Sequence, residues 1–335
     1  MGDSSYKVIR FREEQEDLWD KFVNEKAING TFLQTRRFLN YHPKGRFIDH
    51  SYMIYDKKKN LVAVVPACEE EIEGKKVLYS HKGSTFGGII IDKKNYKVEK
   101  VVDIIEALEQ QIYQDGMQEI IYKITADTFS IESSYLLEYC LYYKGYVEYK
   151  ELNLLVDFRK CSKDLKNNLA QGKRTNVNNC EKEGCQCRVL VEELEIERFY
   201  NILCNNLQKY NVKPVHTLQE LNELRKCRLK DEIEFFGVYL NEQLIAGAMM
   251  FYFNKVKVAH TQYLCALSEY NTLSPMTYLY YSLMVEMRRR GYQEITWGIV
   301  TENLGRYINM GLAKSKEAYG GEYSINRTFR KELNS

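Results

Sequence analysis

Two stretches of this chain repeat one another. Gln114–Ile124 reads QDGMQEIIYKI and Arg289–Ile299 reads RRGYQEITWGI, so Gly-x-Gln-Glu-Ile recurs. An amphipathic helical run precedes each, VEKVVDIIEALEQQIYQ in one case and PMTYLYYSLMVEMRR in the other, and a β-rich run follows. A helix closed by glycine and continued by a strand is the crossover unit of an α/β sheet. A second echo lies upstream. SYMIYDKKKNLVAVVPA and FFGVYLNEQLIAGAMMF both read strand, polar turn, then Leu-(Val/Ile)-Ala opening another strand, a hairpin pattern. The hairpins stand 183 residues apart (Leu61 to Leu244) and the helix–strand units 175 apart (Gly116 to Gly291). The same order at nearly the same spacing predicts a tandem duplication. Each half is then an α/β (α+β) unit, a mixed, mostly antiparallel sheet with helices on its faces.

Length agrees, because 335 residues exceed what a single core usually holds. The seam is expected near KELNLLVDFRKCSKDLKNNL, which gives domains at 1–150 and 151–335. Only four prolines occur and no low-complexity linker separates the halves. An intimate interface with a ligand cleft is therefore expected. Forty-eight Lys+Arg against 46 Asp+Glu leave a net charge of +2, which argues against a DNA binder with a broad basic face. The longest apolar stretch, Leu244–Phe253, is half of the roughly 20 residues a membrane helix needs. The N-terminal stretch MGDSSYKVIRFREEQ has no apolar signal-peptide core, and Tyr6 stands where myristoylation expects Ser or Thr. These features lead us to expect a soluble, cytoplasmic protein. Nine cysteines include no CxxC pair, and the cluster Cys180, Cys185 and Cys187 has no nearby histidine. Reduced thiols without a metal are expected.

Several stretches carry a family resemblance. They are GSTFGGIIID (Gly83–Asp92), GKRTNVNNCEKEGCQCRV (Gly172–Val189), KPVHTLQELNEL, AHTQYLCA and GLAKSKEAYGGE (Gly311–Glu322). In this order, with the doubled hairpin and helix–Gly–strand units, the chain resembles the FemAB/FemX-like branch of the GNAT acyltransferase superfamily. That branch holds the tandem-domain enzymes that build peptidoglycan cross-bridges, with related bacterial acyltransferases of envelope and polysaccharide loci. The resemblance implies two tandem GNAT-like domains and transfer of an aminoacyl or small acyl group. It implies no tightly bound cofactor, with aminoacyl-tRNA or acyl-CoA as donor. A coenzyme A site usually offers a glycine-rich turn at a helix N-terminus. The corresponding stretch here, YNTLSPMTYLYY, has Ser274 and Pro275 as a helix start but no glycine.

Acyl transfer to an amine needs a proton acceptor, a stabilised oxyanion and aligned substrates. Lys316, in the Gly-Leu-x-x-x-Lys signature, is the candidate for the oxyanion or a phosphate; its bland alternative is an exposed helical lysine. Gly320 and Gly321 read as cap and turn. Asp92 resembles the family's proposed base, and otherwise ends a strand before a turn. His260 is a second possible base or a core histidine. Strict alternation places Tyr263 on the opposite strand face from His260, unless a bulge intervenes. Thr217 and Glu220 form a capping box after His216. Basic clusters at Arg36, Arg37, Lys44 and Arg46, and at Lys166, Lys173 and Arg174, suit a phosphate-bearing amine acceptor. Arg36, Arg37, Lys173, Arg174 and Tyr263 are the expected substrate contacts. The competing function is a catalytically inactive tandem module that binds a nucleotide-sugar or a protein. Non-specific RNA binding is disfavoured by the balanced charge.

Overall fold

The computed structural model describes residues 5–43, 45–209 and 211–333; Lys44 of the first basic cluster lies outside them. The chain divides into two compact units, Met1–Glu151 with Ile325–Ser335, and Leu152–Ser324.

In the first unit, β1 (Tyr6–Arg10), α1 (Glu16–Glu25), α2 (Arg36–Leu39) and β2 (Ile48–Asp49) lead to the expected hairpin. Its strands are β3 (Tyr52–Asp56) and β4 (Leu61–Val65). Pro66 has no N–H for the ladder, and the strand breaks there, resuming as β5 (Ala67–Ile72) in another sheet. After β6 (Lys75–Ser80) and β7 (Ile90–Ile91), α3 (Val98–Gln114) crosses over to β8 (Glu119–Lys123), which lies parallel to β6. Helix α4 (Tyr135–Tyr143) follows. One sheet orders β1-β3-β4-β7. Val101, Ile104, Ile105, Leu108 and Ile112 form the buried stripe of α3 at three- and four-residue spacing. They join Tyr52, Ile54, Leu78, Ile120 and Tyr122 in the core.

Strand β9 (Val147–Asp157) carries the chain into the second unit. There α5 (Gln171–Lys182), β10 (Gln186–Val189), α6 (Glu193–Gln208) and α7 (Leu218–Glu223) precede the second expected hairpin. That hairpin is β11 (Ile233–Leu240) and β12 (Gln243–Phe253). Next come β13 (Val258–Ala266), α8 (Pro275–Arg289) and β14 (Glu294–Ile299), with β14 parallel to β13. The strand order in this unit is β10-β11-β12-β13-β14-β9. The apolar stretch Leu244–Phe253 proves to be its central strand, buried at every position because α6 and α8 both pack on it. Gly116 and Gly291, the repeated glycines, both sit at φ +83 and close α3 and α8, where a left-handed residue is needed.

Beyond β14, β15 (Thr301–Glu302) and β16 (Tyr307–Ile308) form a small hairpin before α9 (Met310–Glu317). The last strand, β17 (Glu322–Glu332), returns the chain to the first unit, where Thr328 lies opposite Lys123 of β8. That pairing places the final residues with the first unit, whereas the sequence suggests a single seam at 150/151. Among the described residues no helix is long and apolar enough to cross a membrane. Nor does any group of three or more His, Cys, Asp or Glu suit a metal ion there.

Candidate active site

Strands β13 and β14 pair only at Val258–Glu294, Ala259–Ile295 and His260–Thr296. Immediately past that last pair each strand has an extra residue. Gln262 is inserted in β13, between Thr261 opposite Met250 and Tyr263 opposite Met249. Trp297 is inserted in β14, between Thr296 opposite Leu155 and Gly298 opposite Leu154. A bulge adds twist and bends its strand, so a bulge in each of these neighbours at the same level drives them apart. The gap opens at His260 and Thr296.

The bulge at Gln262 also changes which side chains share a face. His260 stands opposite Phe251 and Tyr263 opposite Met249. Phe251 and Met249 are two apart on one strand, so His260 and Tyr263 lie on the same face. Simple alternation would have separated them. Tyr263 is tied down there, its hydroxyl 2.7 Å from His216 Nδ1 and its pKa pushed up to about 12 by burial. The expected box holds His216's neighbours: Thr217 accepts from the Glu220 N–H and Glu220 accepts from that of Thr217.

Gly298 forms the other bank of the gap. Its φ of +80 is one that side-chain-bearing residues avoid. It also turns two successive carbonyls toward one partner. Lys316, on α9, donates from Nζ to Gly298 O and Ile299 O, both at 3.0 Å. Only 6% of Lys316 is exposed, which removes the reading of a solvated helical lysine. Burial lowers its pKa to about 8. A Cβ placed on Gly298 would stand 3.8 Å from His260 Cε1 and 3.9 Å from Lys316 Nζ. The space at Gly298 is thus bordered by both side chains. His260 is lowered to about 4, first by burial and then by the Lys316 charge. Between those two values the pair is one neutral imidazole beside one ammonium, so the environment separates a proton acceptor from a cation.

Behind His260 lies a buried polar chain of residues not among the candidates read from the sequence. His260 Nδ1 is 3.3 Å from Thr296 Oγ1, which is 3.3 Å from Asn153 Oδ1. Asn153 Nδ2 donates to Ser324 Oγ at 2.8 Å. Thr296 is fully buried and Asn153 nearly so. Asn153 inside the apolar run LNLLVDF and Gly298 inside EITWGIV were the available signals, since a glycine within a strand often marks a bulge.

Of the other expected residues, Lys173 is brought to the same helix as Lys316. Its Nζ donates to Ser315 Oγ at 3.3 Å and lies 4.7 Å over the Tyr319 ring, and burial lowers its pKa. Arg174 donates to Leu169 O at 3.2 Å, and its Nε is buried without a hydrogen-bond partner. Gly320, at φ +79, closes α9 as expected. Helix α8 starts at Pro275, but Ser274 is left-handed at φ +59 and its side chain makes no cap.

Asp92 and Arg36 belong to the first unit. Asp92 Oδ1 accepts from both the backbone N–H and Nδ2 of Asn95, at 2.8 Å each, and so organises a turn. Arg36 is wholly buried, paired with Asp49 and stacked 3.5 Å from the Phe11 ring centroid and 4.5 Å from that of Trp19. Arg37 is half-buried, and its backbone N–H donates to Asp20 Oδ2 at 3.0 Å.

The fold, with its parallel strands β13 and β14 splayed over a crossover helix, is the GNAT fold. Residues 167–307 match the acetyltransferase (GNAT) domain family. Over the whole chain the fold resembles those of FemX and of tandem GNAT proteins. A crystal structure of FemX superposes with a TM-score of 0.69 at 12% identity, covering 98% of each chain. The structure of L-PGS from Bacillus licheniformis gives 0.61 at 13% identity, covering 98% of this chain and 92% of that one. A tandem GNAT protein from the clavulanic acid biosynthesis pathway gives 0.54 at 8%, covering 98% and 99%. At these identities the likeness is one of fold. No curated protein sequence matches the chain.

Proposed function

We propose that this protein is an N-acyltransferase that moves an aminoacyl or small acyl group onto an amine of a cell-envelope or polysaccharide precursor. One observation carries the reading: a buried ammonium, Lys316, stands beside a neutral imidazole, His260, where β13 and β14 splay apart. The match to the acetyltransferase domain over residues 167–307 supports the reaction class. FemX and the C-terminal domain of a putative lysylphosphatidylglycerol synthetase from Agrobacterium fabrum, both among the similar folds, support an envelope acceptor.

In this account the acceptor amine attacks the acyl carbonyl at the gap. The C–N bond forms, and His260 accepts the proton that the nitrogen loses. Lys316 commits two N–H groups to the carbonyls of Gly298 and Ile299, and its third donates to the oxyanion. Collapse breaks the acyl C–S bond of a thioester, or the C–O bond of an aminoacyl ester, and the proton leaves on that sulfur or oxygen. Lys173 and Arg174 on α5 receive the phosphate of the donor or acceptor. Tyr263 shapes the face it shares with His260. Asp92 and Arg36 are left out of the chemistry because Asp92 Oδ1 organises a turn and the Arg36 terminal nitrogens pair with Asp49.

The test is transfer of labelled acyl groups from acetyl-CoA and from aminoacyl-tRNA onto a UDP-linked muramyl peptide. Product from one donor, lost in Lys316→Met, supports the reading. Binding of the peptide without turnover from either donor would leave the protein an inactive binding module.

A further inference from the structure

The polar chain behind His260 determines which ring nitrogen holds the proton. Asn153 Nδ2 donates to Ser324 Oγ at 2.8 Å, so the amide turns Oδ1 toward Thr296, whose Oγ1 is 3.3 Å away. A carbonyl oxygen accepts and never donates. The single hydroxyl proton of Thr296 therefore points to Asn153. Thr296 Oγ1 is then an acceptor for its other neighbours, the Gly298 N–H at 3.3 Å and His260 Nδ1 at 3.3 Å. Only a protonated Nδ1 satisfies that contact. In a neutral imidazole Nε2 is then the accepting nitrogen.

We infer that Asn153 and Thr296 are positioning residues that hold His260 as its Nδ1–H tautomer, so that Nε2 receives the proton of the acceptor amine. The inference deepens the acyl-transfer reading and rests on it for the role of Nε2; the tautomer itself does not depend on that reading. The arrangement also links the base to the cation across the gap. Thr296 receives the N–H of Gly298, the residue whose carbonyl holds Lys316. One hydroxyl thereby aligns the proton acceptor and the backbone that carries the oxyanion donor.

The chain makes distinct demands on its members. Thr296→Ser keeps the hydroxyl and should keep the tautomer. Asn153→Asp keeps an oxygen acceptor and should keep it too. Asn153→Leu removes the acceptor, releasing the Thr296 proton to point at Nδ1 and driving His260 toward Nε2–H. Thr296→Val removes the partner of Nδ1 and lets the tautomers mix.

The experiment is ¹⁵N NMR of the histidine rings at pH 7, with His260 assigned through His260→Gln, followed by steady-state transfer assays on each protein. We expect the Nδ1–H signature in the wild type, Thr296→Ser and Asn153→Asp. Asn153→Leu and Thr296→Val should gain Nε2–H character and lose kcat at least tenfold, with KM within about twofold, since a positioned base contributes roughly 10²–10⁴-fold. An Nε2–H signature in the wild type overturns the inference, whatever the variants do. So does an unchanged tautomer and kcat in both Asn153→Leu and Thr296→Val. If the tautomers follow the expected pattern while no protein shows transfer with any donor, the positioning stands and the acyl-transfer reading fails.

Discussion

Replacing Lys316 by methionine separates a catalytic lysine from a structural one. Burial lowers this pKa from 10.5 to about 8, so holding the ammonium charged costs roughly 3 kcal/mol at 1.36 kcal/mol per pKa unit. Methionine, of similar length and apolar, removes that cost. It also leaves the carbonyls of Gly298 and Ile299 without the donor they share, a loss of roughly 1–3 kcal/mol each. The two effects oppose one another and leave a net change between about 1 kcal/mol gained and about 3 kcal/mol lost. At about 2–4 °C per kcal/mol for a unit of this size, Lys316→Met should unfold within about 12 °C of the wild type. Transfer should behave otherwise, because losing an oxyanion donor lowers kcat by about 10²–10³. The assay pairs thermal unfolding with acyl transfer at saturating substrate. Turnover within threefold of the wild type would refute the assignment, and loss of the folded second unit would make Lys316 structural.

Other expectations follow from the same geometry. Lys316 carries its charge below about 8 and His260 is neutral above about 4, so kcat/KM measured against pH should show an alkaline limb near 8 that is absent from the residual activity of Lys316→Met. His260 is lowered from 6.5 to about 4 by burial, so the unfolded chain binds the extra proton between those values. The stability of the second unit should therefore fall as pH drops from 6.5 toward 4, and His260→Gln should flatten that slope in denaturant titrations. Gly298→Ala has room for its methyl group, but a φ of +80 disfavours alanine by roughly 1–2 kcal/mol. A shift of the 298 and 299 carbonyls should lower kcat beyond what thermal unfolding accounts for. Arg36→Ala breaks an ion pair whose other member, Asp49, has a side chain 41% exposed. The first unit should lose about 2–3 kcal/mol, below the range for a fully buried pair, as read by urea unfolding.

Much of the scaffold was legible because it is local. The doubled hairpins and the helix–glycine–strand units depend on apolar period, polar turns and a left-handed cap, all of which a short window displays. Lys316 stood out through its spacing to the glycines, and the capping box at Thr217 was legible through three residues. What escaped is set by partners distant in sequence. The bulge at Gln262 arises from how β13 registers on β12, and nothing in AHTQYLCA marks it. Yet it places His260 and Tyr263 on one face. Arg36 reads as a surface cation until Asp49, Phe11 and Trp19 close around it. Asp92 reads as a strand-end acid whether it caps a turn or meets a substrate. Thr296 and Asn153 come together only when β14 pairs with β9, although each sits as a polar residue within an apolar strand.

The central claim is that the gap between β13 and β14 performs acyl transfer to an amine. The most direct measurement is mass spectrometry of an amine-bearing UDP-muramyl peptide after incubation with purified protein and either acetyl-CoA or aminoacyl-tRNA. The account predicts that one donor yields a peptide heavier by one acyl group, attached at the amine, with the wild type and not with Lys316→Met. An unmodified peptide from both donors, under conditions where it demonstrably binds, would contradict it.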